Sequence, residues 1–175
     1  MTGRPGTVFL DRDGTINAKA PEGSYILRPE DVRLLPGAGE AVRRLNAAGM
    51  RVIVVTNQRA VALGLIDDAE LKRVNHQLED LLAAQGAHLD GIYVCPHEVG
   101  SCTCRKPAGG LLMQARADFP GIDFARSVLV GDSESDVLAA RACGVEAIRL
   151  APADTPTQAG ALRDDLASAV ERILS

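Results

Sequence analysis

Apolar residues recur along the chain in two rhythms: short unbroken runs, and longer stretches where they return every three or four positions. Thr7–Leu10, Arg51–Val55, Ile92–Val94, Ser127–Val130 and Glu146–Leu150 are runs of the first kind. Continuous aliphatic and β-branched residues predict strands of a parallel sheet covered on both faces. Between these runs, Ala38, Ala41, Val42, Leu45 and Ala48 share one helical face, as do Leu71, Val74, Leu78, Leu81 and Leu82. Gly49 and Gly86 stand where those two helices should end, and Asp67 with Glu70 three residues on resembles a capping box. Further helices are predicted over about residues 109–119 and along Val137, Ala140 and Cys143. The stripe Leu162, Leu166, Val170 and Ile173 predicts a C-terminal helix over about 157–174. Strands alternating with helices imply an α/β fold, a parallel sheet with helices on both faces.

Residues 14–36 break both rhythms. They hold Pro21, Gly23, Pro29 and Pro36, which predicts a long loop at the sheet's edge and a candidate substrate flap. Lys19, Glu22 and Arg28 are the flap charges within reach of a ligand.

Composition narrows the class. At 175 residues the chain is read as one domain spanning 1–175, with 46% apolar residues but only 3% aromatic, so its core is aliphatic. A net charge of −4 argues against a nucleic-acid partner, whose phosphates would call for a basic surface. No run approaches the length of a membrane span, and no apolar leader precedes Asp11. A soluble, cytoplasmic monomer is the expectation.

The chemistry is concentrated where strands end. Val8-Phe9-Leu10 drives straight into Asp11, Asp13 and Gly14. Two carboxylates meeting there repel unless a cation or a shared proton relieves them. The pair suits Mg²⁺, and a division of labour between nucleophile and acid/base. A surface turn would explain Asp before Gly, but not the apolar run that delivers it. A calcium loop starting at Asp11 would need Gly where Ile16 stands. The second strand ends at Thr56, Asn57 and Gln58, and the fourth at Asp132, with Asp136 following in the first turn of a helix. Lys106 is expected at the start of another helix. Parallel packing would bring these ends to one edge, assembling a hydroxyl, an ammonium and carboxylates: the parts phosphoryl transfer needs.

Cys95, His97, Cys102 and Cys104 place four soft or borderline donors within ten residues (95–104). Such a set predicts a closed structural Zn²⁺ site, which would also fix Arg105 and Lys106 next to it. Cys143 has no partner in the sequence and is expected to fill core space.

Taken in order, Val8–Thr15, Val54–Gln58, Cys95–Pro107 and Val130–Asp136 resemble the motifs of the haloacid dehalogenase (HAD) superfamily of phosphohydrolases. The resemblance covers about residues 6–150. It is closest to the branch of heptose bisphosphate and histidinol-phosphate phosphatases. It implies a Rossmann-like HAD fold without a large cap domain, and a Mg²⁺-dependent phosphatase acting on a small phosphorylated metabolite. Asp11 would be the nucleophile, Asp13 the acid/base, and Thr56 and Lys106 the holders of the phosphoryl oxygens. Mg²⁺ would be bound by Asp11, the backbone carbonyl of Asp13 and Asp132, with Asp136 nearby. Substrate contacts would come from Asn57, Gln58, Arg59, Arg105, Lys19 and Glu22. The chain departs from heptose bisphosphatases at Arg59 and Leu63, which stand for Ser and Arg, and at Ser133, where many carry Lys. These changes fall where the non-reacting part of a substrate would sit. A phosphotransferase and a zinc-ribbon-like binding module are the other classes compatible with these parts.

Overall fold

In the computed structural model, which describes residues 6–175, each apolar run becomes a strand close to its predicted limits. They are β1 (Thr7–Leu10), β2 (Arg51–Asn57), β3 (Gly91–Cys95), β4 (Ser127–Gly131) and β5 (Glu146–Leu150). A sixth strand, β6 (Ala161–Arg163), joins them, and all pair in parallel in the order β3-β2-β1-β4-β5-β6. The first strand therefore lies in the middle. The chain builds outward on one side of it through β2 and β3, then returns to its other side with β4. In open parallel sheets, such a reversal leaves a crevice at the carboxyl ends of the two central strands.

The helices are α1 (Ala38–Ala47), α2 (Asp68–Ala83), α3 (Gly110–Asp118), α4 (Glu134–Ala142) and α5 (Leu166–Leu174). Alternation along each strand divides the core in two. Val8, Leu10, Val52, Val54, Val128 and Val130 face one cluster with Leu45 of α1, Leu78 of α2 and Val170 of α5. Phe9, Ile53, Val55 and Leu129 face the other, with Leu111 and Leu112 of α3 and Val137 of α4. Gly49 and Gly86 take positive φ at the ends of α1 and α2, and Asp67 accepts the Glu70 N–H at 2.7 Å.

The loop 14–36 is tethered rather than free. Ala18 N–H bonds to the Arg33 carbonyl at 2.8 Å and Leu35 N–H to the Ile16 carbonyl at 2.9 Å, and Ile16, Ile26 and Val32 are buried.

Two sequence expectations are corrected. The C-terminal helix starts at Leu166, not near 157, because Asp165 caps it by accepting the Ser168 N–H at 2.8 Å. Leu162 lies on β6, paired with Arg149, so its spacing from Leu166 was a coincidence of strand and helix. Lys106 does not begin a helix. It sits in a turn before Pro107, and α3 begins four residues later at Gly110.

Candidate active site

Asp11 follows β1 directly and its backbone N–H bonds to the Val130 carbonyl at 2.9 Å, fixing it against the end of β4. Asp132 follows β4, and Asp136 is the third residue of α4, whose N-terminus points toward the same place. Oxygens of Asp11, Asp132 and Asp136 lie within 4.8 Å of one another. Small residues allow this crowding. A Cβ on Gly131 would collide with the Asp136 carboxylate, and one on Gly14 (φ +84°) with the Asp132 carboxylate.

Lys106 reaches into this cluster from the third side. Its ammonium donates to Asp11 Oδ1 at 2.8 Å, Asp136 Oδ1 at 2.5 Å and the Val55 carbonyl at 2.8 Å. Asn57 aims it: the Asn57 amide donates to the Lys106 carbonyl at 3.0 Å and accepts the Lys106 N–H at 3.1 Å. Burial works against the charge on Lys106, but the Asp11 and Asp136 carboxylates outweigh it and hold its pKa above the ordinary lysine value. Burial pushes the Asp11 carboxyl up to about 7, with Lys106 opposing the shift and Asp136 adding to it. Asp136 Oδ2 accepts from the Ser133 N–H at 3.1 Å and the Ser133 hydroxyl at 2.7 Å. Lys19, from the loop, forms an ion pair with Asp132. Three carboxylates around one point, two of them sharing one ammonium, fit a hard divalent cation with oxygen ligands.

The Asp13 side chain turns aside from this cluster, toward Arg12, Asn17 and Gln58. The Gln58 amide donates to Asp13 Oδ2 at 2.8 Å and to the Thr56 hydroxyl at 2.9 Å. The Asn17 amide donates to Asp13 Oδ1 at 2.9 Å. Arg12, only 1% exposed, donates to both Asp13 oxygens and to Asn75 of α2. Arg12, Asn17 and Asn75 were missed by sequence reasoning. Asn75 did leave a trace: it lies on the inward stripe of α2 among Leu71, Val74 and Leu78, where an amide needs a buried partner.

A small cleft of about 160 Å³ opens over these groups, lined by Asp11, Asp13, Lys19, Thr56, Asn57, Lys106, Asp132, Ser133 and Ser135. Gln58 lies beneath it, 4% exposed, as a bridge between Asp13 and Thr56. Glu22 is exposed on the loop. Arg59 forms a two-pronged pair with Glu98 of the cysteine loop, at 2.7 and 3.1 Å. Arg105 donates to the His97 carbonyl at 3.3 Å. None of these four lines the cleft. Ser135, which does, was not singled out from the sequence.

Cys95, His97, Cys102 and Cys104 converge as their spacing predicts, with donor atoms all within 4.8 Å. Cys95 Sγ lies 3.7 Å from His97 Nδ1 and 3.6 Å from Cys102 Sγ; Cys104 Sγ lies 3.2 Å from His97 Nδ1 and 3.4 Å from Cys102 Sγ. Donors about 2.0–2.3 Å from a tetrahedral zinc would stand roughly 3.3–3.8 Å apart, a spacing the four reach to within about 0.1 Å. Electrostatics agrees. Burial works against a Cys102 thiolate, but the Arg105 N–H and the neighbouring thiols hold its pKa at about 6. Burial and the neighbouring sulfurs of Cys95 and Cys102 push Cys104 up to about 12. Cys143 packs against the second core cluster, its Sγ 3.5 Å from the Gly109 carbonyl.

Comparison with known proteins gives the family of the chain. Residues 5–144 match the family described as haloacid dehalogenase-like hydrolase. The D-glycero-beta-D-manno-heptose-1,7-bisphosphate 7-phosphatase of Rhodopseudomonas palustris is 38% identical over 154 residues, covering 83% of either chain. The enzyme of that name from Escherichia coli K12 is 39% identical over 146 residues, 79% of this chain and 74% of the relative. Among solved structures, the D,D-heptose 1,7-bisphosphate phosphatase of B. bronchiseptica, complexed with magnesium and phosphate, superposes with a TM-score of 0.86 at 31% identity. That match covers 96% of this chain and 97% of the other. With a shared fold, a family match over most of its length and relatives this near, the chain belongs to the haloacid dehalogenase-like hydrolase family.

Proposed function

We propose that the protein is a phosphoric monoester hydrolase that removes one phosphate from a small sugar bisphosphate, a D-glycero-D-manno-heptose 1,7-bisphosphate in the first place, at position 7. The observation that carries the reading is the Asp11 carboxylate at the floor of the cleft, 2.8 Å from the Lys106 ammonium. A carboxylate so placed is available to attack phosphorus, forming an aspartyl phosphate that water then cleaves. Lys106 and the Thr56 hydroxyl hold the phosphoryl oxygens as negative charge develops on them. Asp13 protonates the departing alcohol and later takes the proton from the attacking water. The residues that would hold Mg²⁺ are Asp11, Asp132 and the backbone carbonyl of Asp13, with Asp136 alongside, and the ion would offset the charge gathered there. Zn²⁺ at Cys95, His97, Cys102 and Cys104 would be structural, since four protein donors leave no open position.

The volume of the cleft supports a division of the substrate. About 160 Å³ accommodates a phosphoryl group and its immediate surroundings, so the sugar and any second phosphate extend outside it. Arg105 and Arg59 are the cations left for that remote phosphate, and Arg59 would have to exchange its bond to Glu98. All the groups invoked lie within one chain, as a monomer requires, and three zinc-binding thiols suit a reducing, cytoplasmic compartment.

The test is a comparison of phosphate release, with Mg²⁺ supplied, from the heptose 1,7-bisphosphate, the heptose monophosphates and histidinol phosphate. The bisphosphate should give the highest kcat/KM and a single equivalent of phosphate. Faster turnover of histidinol phosphate would move the protein to that activity instead.

A further inference from the structure

Among the described residues Arg12 is the largest side chain to be almost wholly buried, and Asp13 is the carboxylate it pairs with. Removing a guanidinium from water is costly unless every donor finds a partner. Here Nε and Nη2 donate to Asp13 at 3.1–3.3 Å, and Nη1 donates to Asn75 Oδ1 at 2.8 Å. Asn75 is itself only 9% exposed, fixed on α2 between Val74 and Leu78. The guanidinium plane is thus clamped from behind by a helix. Its planar fork then fixes where both Asp13 oxygens lie, with Asn17 and Gln58 closing the remaining directions.

The geometry points to Asn75, acting through Arg12, as a positioning residue for Asp13. This rests on reading Asp13 as the acid and base of the reaction. Displacing a reacting group by about 1 Å can cost on the order of 100-fold in rate. Losing the Asn75 oxygen leaves Nη1 buried without an acceptor, and the fork turns to find another, taking Asp13 with it.

The experiment compares kcat/KM on an alkyl phosphate monoester, whose leaving alcohol needs a proton, with that on 4-nitrophenyl phosphate, whose leaving group does not. Asn75→Leu keeps the volume and removes the acceptor; Asn75→Ala is the alternative if leucine does not pack, and Arg12→Lys keeps the charge without the fork. Circular dichroism and Mg²⁺ titration establish that each variant is folded and loaded. Each should lose about 10–100-fold on the alkyl ester and less than about 3-fold on the aryl ester. A burst of nitrophenolate should also appear, because water attack on the aspartyl phosphate needs Asp13 as well. Equal losses on both esters, or none, would overturn the inference and leave Arg12 and Asn75 as packing. Asp13→Ala is the reference: should it fail to show the split, the acid/base reading itself falls, a result distinguishable from failure of the Asn75 variants alone.

Discussion

Asp11 illustrates how burial tunes a residue for its task. Out of water, its carboxyl is pushed up to about 7, with Lys106 restraining the rise. Below that pH the metal-free carboxyl carries a proton, and a divalent cation must displace it to bind. Mg²⁺ affinity should therefore fall by up to about tenfold per pH unit below 7 and level off above it. Isothermal titration of the metal-free protein between about pH 5.5 and 8 measures this. An affinity that is flat across the acid range would mean Asp11 ionises freely there. The sequence placed Asp11 and Asp132 just after strands and Asp136 in the first turn of the helix that follows, because apolar runs announce where such ends fall. It could not show the direction of Asp13's side chain. That is decided by Arg12, Asn17 and Gln58, three polar residues whose burial no pattern of hydrophobicity discloses.

Among the elements, the cysteine loop does more than gather four metal donors. It leads from Cys95 at the end of β3 to Lys106, and its Glu98 is tied to Arg59 beyond β2. A cation on the four donors would stiffen the path that carries Lys106 into the cleft. The purified protein should hold about one Zn²⁺ per chain. Cys102→Ser should lose it, lower Tm by about 4 °C or more and reduce turnover without touching Mg²⁺ affinity. Metal analysis showing no zinc after reducing, chelator-free purification would contradict this. The convergence of four donors within ten residues was legible because such close spacing brings them together. The C-terminal strand was not. Three residues, Ala161–Arg163, are too few to establish a period of two, and Leu162 happened to fall in phase with the helix that follows. Lys106 was misplaced for a similar reason, since the turn before Gly110 has no hydrophobic rhythm of its own.

At the scale of the molecule, the order β3-β2-β1-β4-β5-β6 explains why residues 121 positions apart, Asp11 and Asp132, work side by side. The sheet's reversal between β1 and β4 opens the crevice, two aliphatic cores hold its walls, and the segments after β1, β3 and β4 deliver its charged groups. Family membership rests on the shared fold together with the matched residues. Among the described residues, no helix is long and apolar enough to cross a membrane. The central claim is that Asp11 takes the phosphate onto itself. The most direct measurement quenches the enzyme with acid during turnover of a phosphate monoester and locates added phosphate by peptide mass. The account predicts a gain of about 80 Da on the peptide containing Asp11, absent in Asp11→Asn, which should also release no phosphate. Turnover by Asp11→Asn at near the wild-type rate, or phosphate found on another residue, would contradict it.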